Sequence, residues 1–368
     1  MSFSSLYIHV PFCAGCKCDY CAFYSIVAHD EGLRQRYLNE LSAQFRRNSS
    51  QCAPLRSIFI GGGTPGLLSP NELAQLCNAI RENFSFVPDC EWTIEANPES
   101  MTTEKIRLLA EYGVNRISFG VQSFQPQTRK AIGRRGTLDR LPQLVKCAHE
   151  DAQMRVNFDL IYACPGQTLA EWQCDLESAL AYEPEHLSCY SLIIEGETPL
   201  AQRKPSAISD DLFLQFWALN DDFLGAHGLP RYEISNFADA SHRCRHNWEI
   251  WHGQSYLGCG PTAVSFDGAD RWEEPPDLAA WLAHERPSVD RIPPDARRRE
   301  VFAFAFRTVD GWTWDELETR LALSREAVLQ EVVIHQLKEA GMLTWDDRGI
   351  RATPQGLLYN DDLLAALL

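Results

Sequence analysis

The sequence lacks long apolar segments and a recognisable targeting segment. No run of about 18 apolar residues is present, so we expect no transmembrane helix. The N-terminus also lacks the basic stretch and apolar core of a signal peptide, which predicts a protein of the cytoplasm or, after processing, of an organelle. No internal repeat or low-complexity segment stands out. These absences are typical of a globular protein.

Positive charge is also scarce. The 368 residues include 34 Lys and Arg against 50 Asp and Glu, which gives a formal net charge of -16. Nucleic-acid binding needs clustered cations to neutralise phosphates, and the dense basic groups are only Arg134-Arg135 and Arg297-Arg298-Arg299. We therefore expect no nucleic-acid partner. A chain of this length predicts one large domain and a smaller one.

Cysteine, in contrast, is abundant, with 13 residues in a chain that shows no secretion signal. This combination indicates a reducing compartment with free or metal-bound thiols. Four cysteines, Cys13, Cys16, Cys18 and Cys21, follow a short β-like run. Thiolates this dense on one loop suit an iron–sulfur cluster. The alternative is that the four cysteines form a disulfide pair or are simply buried as small apolar residues. Three ligands would leave one iron open to a substrate or cofactor.

Strand and helix patterns alternate from residue 6 to beyond residue 220. We predict helices over 31–50, 71–84, 102–112, 138–150 and 169–181, and strands over 57–60, 91–98, 116–122, 156–161 and 187–192. Such alternation implies parallel strands joined by helices, in a doubly wound sheet or a (β/α) barrel. In a barrel, Cys13, Gly61, Glu95, Gln122 and Asp159 would meet at the carboxyl ends of the strands, where active sites are built.

The pattern changes after residue 228. Residues 229–270 are rich in aromatic, glycine and polar turn residues and show no helical period. From 297 the chain is helical again, and a hairpin is predicted around Asp346-Asp347-Arg348-Gly349, as in a winged-helix module. The predicted domains are an α/β barrel over 1–228, a connecting region over 229–295 and a winged-helix-like domain over 296–368.

The cysteine stretch from Tyr7 to Phe23 resembles the radical S-adenosylmethionine (SAM) enzymes. It is most similar to the branch that holds oxygen-independent coproporphyrinogen III oxidase and the HemW-type heme chaperones. The resemblance implies a partial barrel of six βα units, a [4Fe–4S] cluster on Cys13, Cys18 and Cys21, and SAM on the open iron. The family spacing is C-x3-C-x2-C, whereas four residues separate Cys13 from Cys18 here, so Cys16 remains an alternative first ligand.

Several later motifs match the cofactor contacts of this family. Gly62, Gly63 and Thr64 resemble the element that grips the methionine amino group, and Glu95 lies in a string that matches the SAM-binding carboxylate. The remaining positions implied to contact SAM, some through a second SAM molecule, are Tyr7, Tyr20, Gln122, Arg134, Asp159 and Ile193. Without the resemblance, the glycines could form a simple turn, and Asp159 could pair with Arg134.

A final motif bears on the choice of branch. Cys244-Arg245-His246-Asn247-Trp248-Glu249-Ile250-Trp251 resembles the His-Asn-x-x-Tyr-Trp element of the heme chaperones, with Ile250 in place of Tyr. An imidazole among aromatic rings can be an axial ligand of heme iron. The alternatives are a structural role for His246 and a thiolate ligand from Cys244.

The family comparison therefore favours a heme chaperone that passes heme to a respiratory protein. Phe23 stands where the oxidase has a further cysteine, and the chain begins six residues before Tyr7, where the oxidase has a longer extension. The alternatives are oxidative decarboxylation of coproporphyrinogen III, a radical SAM C-methyltransferase, or a structural cluster in a docking module. SAM turnover, a homodimer and peripheral contact with membrane-bound acceptors remain open.

Overall fold

The computed structural model describes residues 2–15, 17–27, 30–206 and 208–368. The strands are β1 (Phe3–Val10), β2 (Phe12–Cys13), β3 (Ile26–Val27), β4 (Cys52–Gly62), β5 (Phe86–Ala96), β6 (Arg116–Gln122), β7 (Arg155–Tyr162), β8 (His186–Ser191), β9 (Asn236–Ala238), β10 (Tyr256–Cys259), β11 (Val264–Phe266), β12 (Arg271–Glu273), β13 (Ser288–Asp290), β14 (Trp312–Thr313), β15 (Leu343–Trp345) and β16 (Gly349–Ala352). No described helix is long and apolar enough to cross a membrane.

Helices alternate with the first half of these strands and dominate the C-terminal region. They are α1 (Glu31–Asn48), α2 (Pro70–Asn83), α3 (Thr103–Glu111), α4 (Pro126–Ala131), α5 (Leu141–Lys146), α6 (Leu169–Leu180), α7 (Pro199–Gln202), α8 (Asp210–Ala226), α9 (Arg245–Trp251), α10 (Leu278–Leu282), α11 (Pro294–Phe304), α12 (Trp314–Leu321), α13 (Arg325–Gln330), α14 (Val332–Glu339), α15 (Pro354–Leu358) and α16 (Asn360–Leu367). Helices α2 and α6 begin with Ser-x-x-Glu or Thr-x-x-Glu capping boxes, which satisfy their first backbone N–H groups.

Six parallel strands form the centre of an open sheet, in the order β1-β4-β5-β6-β7-β8. This order confirms the predicted partial (β/α) barrel of six units. Strands β10 to β13 extend the sheet beyond β1, and β9 adds an antiparallel strand beside β8. Over the residues that the structure describes, the sheet therefore ends at β13 and β9 and does not close on itself.

The strands of the barrel bury both faces, but the two faces differ in chemistry. In β1, Leu6, Ile8 and Val10 are fully buried in the apolar core, while Ser5, Tyr7 and His9 alternate with them. The same alternation puts Ser118, Asn157 and Asp159 in one hydrogen-bonded group across β6 and β7. The second face of the sheet is therefore lined by polar side chains, which could contact a bound ligand.

Helix α9 lies against the amino ends of β1, β4 and β5, although no helix was predicted between 229 and 270. That prediction was wrong because α9 has no apolar period and depends on tertiary contacts instead. The carboxylate of Glu91 accepts the first N–H groups of α9, from Arg245 and His246, at 3.1 Å each. Ser5 Oγ donates to Glu249 at 3.0 Å, and Arg56 forms a salt bridge with the same carboxylate at 2.7 Å.

The C-terminal region has its own apolar cluster, which includes Phe302, Phe306, Trp312 and Leu317. Its three-stranded sheet has the order β14-β16-β15, and the β15–β16 hairpin is the one predicted around 346–349. The predicted helix over 138–150 is shorter as an α-helix, since α5 ends at Lys146 and a wider π-helical turn follows.

Candidate functional site

A cavity of about 650 Å³ lies at the carboxyl ends of the barrel strands; we call it the cysteine-loop cavity. The predicted site residues that line it are Cys13, Cys18, Tyr20, Cys21, Gly62, Gly63, Thr64, Glu95, Gln122, Arg134, Asp159 and Ile193. Two predicted residues, Tyr7 and His246, lie elsewhere. The strand order thus brings together residues that are up to 180 positions apart in the chain.

Two of the predicted cluster ligands have polar neighbours. Thr64 Oγ1 donates to Cys13 Sγ at 3.7 Å, and a guanidinium nitrogen of Arg134 donates to Cys18 Sγ at 3.5 Å. Burial raises the pKa of the Cys21 thiol, with further contributions from neighbouring thiols. Cys16, the alternative first ligand, lies outside the described residues.

Among the described residues, no group of three or more His, Cys, Asp or Glu side chains is arranged to hold a single metal ion. A four-iron cluster takes one thiolate on each ligated iron, so its ligands stand farther apart than those around one ion. Cys13, Cys18 and Cys21 all line the same cavity, and none of them forms a disulfide. Three free thiols on one cavity suit thiolate ligation of an iron–sulfur cluster.

The glycines after β4 allow the backbone to approach neighbouring groups closely. Gly62 has φ +103°, and a Cβ there would lie 2.7 Å from the His9 ring. At Gly63 a Cβ would lie 2.6 Å from the Phe12 carbonyl oxygen. A side chain at either position would therefore displace the glycine turn itself, which lines the cysteine-loop cavity.

Two partly buried carboxyl groups, those of Glu95 on β5 and Asp159 on β7, face the cavity. Burial, together with the nearby Asp159, raises the pKa of Glu95 to about 8, although Gly62 N–H donates to its Oε2 at 3.1 Å. Burial also raises the pKa of Asp159, and hydrogen bonds from Ser118 and Asn157, at 2.7 and 2.9 Å, oppose this effect. A cation in the cavity would favour the ionised forms of both groups.

Arg134 is buried and does not use Asp159 as its partner. Its guanidinium donates to Asn97 Oδ1 at 2.7 Å and to the Gly120 carbonyl at 2.6 Å. The salt-bridge alternative considered for Asp159 is therefore wrong. Three buried atoms of cavity-lining residues have no hydrogen-bond partner among the described residues: Glu99 Oε2, Gln122 Oε1 and Arg134 Nε. Unpaired buried groups of this kind suit a polar ligand.

A second cavity of about 350 Å³, the His246 cavity, lies between α9, β1 and β10–β11. Its lining is mostly aromatic: Tyr7, His9, Phe23, Tyr24, Phe59, His246, Trp251 and Tyr256, with Asn247, Ile250, Thr262 and Val264. Tyr7, predicted to contact SAM, lies here because the pleat of β1 turns it towards Phe59 and His246. The lining suits a flat apolar ligand.

His246 is 2% exposed, and its ring stacks on Phe59 with centroids 5.3 Å apart. Its Nδ1 shares a hydrogen bond with Ser57 Oγ at 2.9 Å. Burial lowers the pKa of His246 to about 4, so the imidazole is neutral near pH 7. Cys244 is fully buried beside Glu91, and burial raises its pKa to about 12, which keeps its thiol protonated.

Sequence reasoning missed several residues of these sites. His9 lies within the recognised Tyr-Ile-His-Val-Pro-Phe-Cys string but received no role, and Asn97 lies beside Glu95. Ser57 carried no signal at all, since one serine in a buried strand is unremarkable. Its role depends on where α9 packs, which the sequence did not indicate.

The comparisons with known proteins agree with the motifs. Residues 7–178 match the radical SAM superfamily, and residues 292–359 match the HemN C-terminal domain. The chain is 33% identical to the heme chaperone HemW of Haemophilus influenzae, over 89% of this chain and 88% of that protein. It is 29% identical to HemW of Bacillus subtilis, over 99% of both chains. The fold matches coproporphyrinogen III oxidase (HemN) of Escherichia coli with a TM-score of 0.83 at 22% identity, over 99% of this chain and 89% of that one.

Proposed function

Because the chain belongs to the HemW-type branch of the radical SAM superfamily, we propose that it is a heme chaperone. It would hold a [4Fe–4S] cluster on Cys13, Cys18 and Cys21, with SAM in the same cavity. The bound cluster supplies an iron site for SAM and a source of one electron. Heme would bind at His246 and pass from there to a respiratory acceptor protein.

The observation that carries this proposal is the environment of His246. A histidine that coordinates iron through Nε2 keeps its proton on Nδ1, and Ser57 Oγ lies 2.9 Å from Nδ1, where it can accept a hydrogen bond from that N–H group. The low pKa keeps the ring neutral, as coordination requires. Aromatic rings around it offer packing surfaces for the macrocycle.

For SAM, the proposal rests on the polar lining of the cysteine-loop cavity. Glu95 and Asp159 offer carboxyl groups to a cationic ligand, and Gly62 and Gly63 leave room for its amino-acid portion. Arg134 donates hydrogen bonds to Asn97 Oδ1 and to the Gly120 carbonyl, and so positions these two parts of the cavity wall. These residues would bind and orient SAM.

A second function, oxidation of a coproporphyrinogen, has one observation in its favour. The cysteine-loop cavity is the larger of the two, and its lining includes the cations Lys17 and Arg135, which could receive a propionate carboxylate. In that case the substrate would lie beside SAM and not at His246.

Anaerobic reconstitution with iron and sulfide, followed by hemin titration, distinguishes these functions. We expect one hemin per chain, with a Soret shift that is lost in His246→Ala. His335→Ala is the matched control, because its exposed imidazole reports surface coordination. The reduced protein would also be assayed for 5′-deoxyadenosine with coproporphyrinogen III. Porphyrinogen-dependent product without hemin binding would refute the chaperone proposal.

A further inference from the structure

The cysteine-loop cavity and the His246 cavity share a wall. Phe23 lines both of them. It follows Cys21 by two residues, on the same loop as the three predicted cluster ligands. Its side chain is 70% exposed, so few contacts hold it in place.

Tyr24, the next residue, ties this loop to the His246 cavity. Its ring lines that cavity, its hydroxyl accepts the Leu278 N–H at 2.8 Å, and its carbonyl lies 3.0 Å from His9 Nε2. Because a carbonyl can only accept, His9 carries its proton on Nε2. Nδ1 then accepts from the Tyr7 hydroxyl at 3.2 Å, which adds another residue of the His246 cavity.

His9 provides a second connection between the two cavities. Its ring lines the His246 cavity and packs closely against Gly62, which lines the cysteine-loop cavity. Gly62 in turn donates its N–H to Glu95. A change at Gly62 would therefore shift the His9 ring and, with it, the lining of the His246 cavity.

We infer that Phe23 is a positioning residue for both ligands and that occupancy of the cysteine-loop cavity increases the affinity of the His246 cavity for heme. This inference rests on the proposed function. The physical reason is that a ligand in the first cavity fixes the Phe23 side chain, which is otherwise mostly exposed. Heme then binds beside a side chain that is already ordered, so its binding costs less conformational entropy.

The test measures hemin affinity of the cluster-loaded protein with and without saturating SAM, by Soret titration, and SAM affinity with and without hemin, by equilibrium dialysis. We expect SAM to tighten hemin binding by about 5-fold or more, the lower end of typical coupling between sites. Hemin must then tighten SAM binding by the same factor, because linkage is reciprocal. Affinities that neither ligand changes for the other would contradict the inference, and unequal factors would show that one of the titrations had not reached equilibrium.

Phe23→Ala should reduce this factor to near one in both directions, whereas Phe23→Leu, which keeps a large apolar side chain, should retain part of it. Tyr359→Ala is the matched control, since Tyr359 is another exposed aromatic residue and lies in the C-terminal region, outside the lining of both cavities as described. Its coupling factor should equal that of the wild type. Iron and sulfide analysis shows whether each variant keeps its cluster.

The outcomes separate this inference from the proposed function. Hemin binding that SAM does not change would overturn the inference and leave the heme-chaperone proposal intact. Full coupling in Phe23→Ala would overturn the role of Phe23. Failure of the wild-type protein to bind hemin would overturn the proposed function and this inference together.

Discussion

Replacement of Glu95 by Gln should stabilise the cluster-free protein at alkaline pH. Burial and the neighbouring Asp159 raise the pKa of Glu95 from 4.5 to about 8. The Glu95 carboxyl therefore keeps its proton in the folded state at pH values above about 4.5, where the unfolded chain loses it. As a result, the free energy of unfolding declines as the pH rises from about 4.5 to about 8 and then levels off. At 1.36 kcal/mol per pKa unit, the loss is on the order of 5 kcal/mol.

The assay is urea-induced unfolding of the cluster-free protein, followed by tryptophan fluorescence under anaerobic conditions. Near pH 5 the wild type and Glu95→Gln should have similar free energies of unfolding, because both side chains are neutral there and both can accept the Gly62 N–H. Near pH 8.5 the variant should be the more stable. Parallel stability curves across this range would refute the reasoning.

Glu91 provides a control of opposite sign on the same strand. Its burial favours the neutral form, but the guanidinium groups of Arg116 and Arg155 outweigh this and hold the pKa of Glu91 below its usual range. Its stabilisation is therefore present above pH 4.5 and is lost as the pH falls through its lower folded-state pKa. Glu91→Gln should destabilise the protein at neutral pH by about 3–5 kcal/mol, because Arg155 would lose its salt-bridge partner and the charge of buried Arg116 would lose its attraction to this carboxylate. No loss at pH 7 would contradict this assignment.

Three further substitutions test other parts of the molecule. Gly62→Ala should abolish SAM binding in equilibrium dialysis, because its Cβ would displace the His9 ring; unchanged affinity would show that the turn does not form the SAM site. Arg134→Lys should weaken SAM binding by about 10-fold or more by losing the paired guanidinium contacts, and a smaller change would show that these contacts do not position the SAM site. Tyr232→Phe should lower stability by about 1–3 kcal/mol in thermal unfolding, because its hydroxyl contacts a buried histidine and the Cys244 N–H; an unchanged midpoint would contradict this.

The alternation of strands and helices was predictable because each barrel strand carries its own apolar period. Leu6, Ile8 and Val10 on one face of β1 are sufficient to indicate a buried strand. The carboxyl-end location of Glu95 and Asp159 follows from that alternation, since parallel strands end on one side. The family motifs then distinguish Glu95 and Asp159 from other residues at the strand ends.

Contacts between distant segments could not be predicted in this way. Helix α9 has no apolar period, and its first turn depends on Glu91, which lies 154 positions earlier than Arg245. The motif also could not indicate that Tyr7 lines the His246 cavity, because a motif records only the place of a residue in the sequence. Its partners, Phe59 and His246, come from separate elements.

The contrast between Glu91 and Glu95 shows why residue type and strand position do not determine the chemistry of a site. Both are glutamates on β5, four residues apart, yet Glu91 faces Arg116 and the amino end of α9, whereas Glu95 faces Asp159 and the cavity. The first is therefore ionised and stabilises the end of the barrel that holds His246. The second is held near its titration point, so it can respond to a cationic ligand. One strand thus supports His246 at one end and the cysteine-loop cavity at the other.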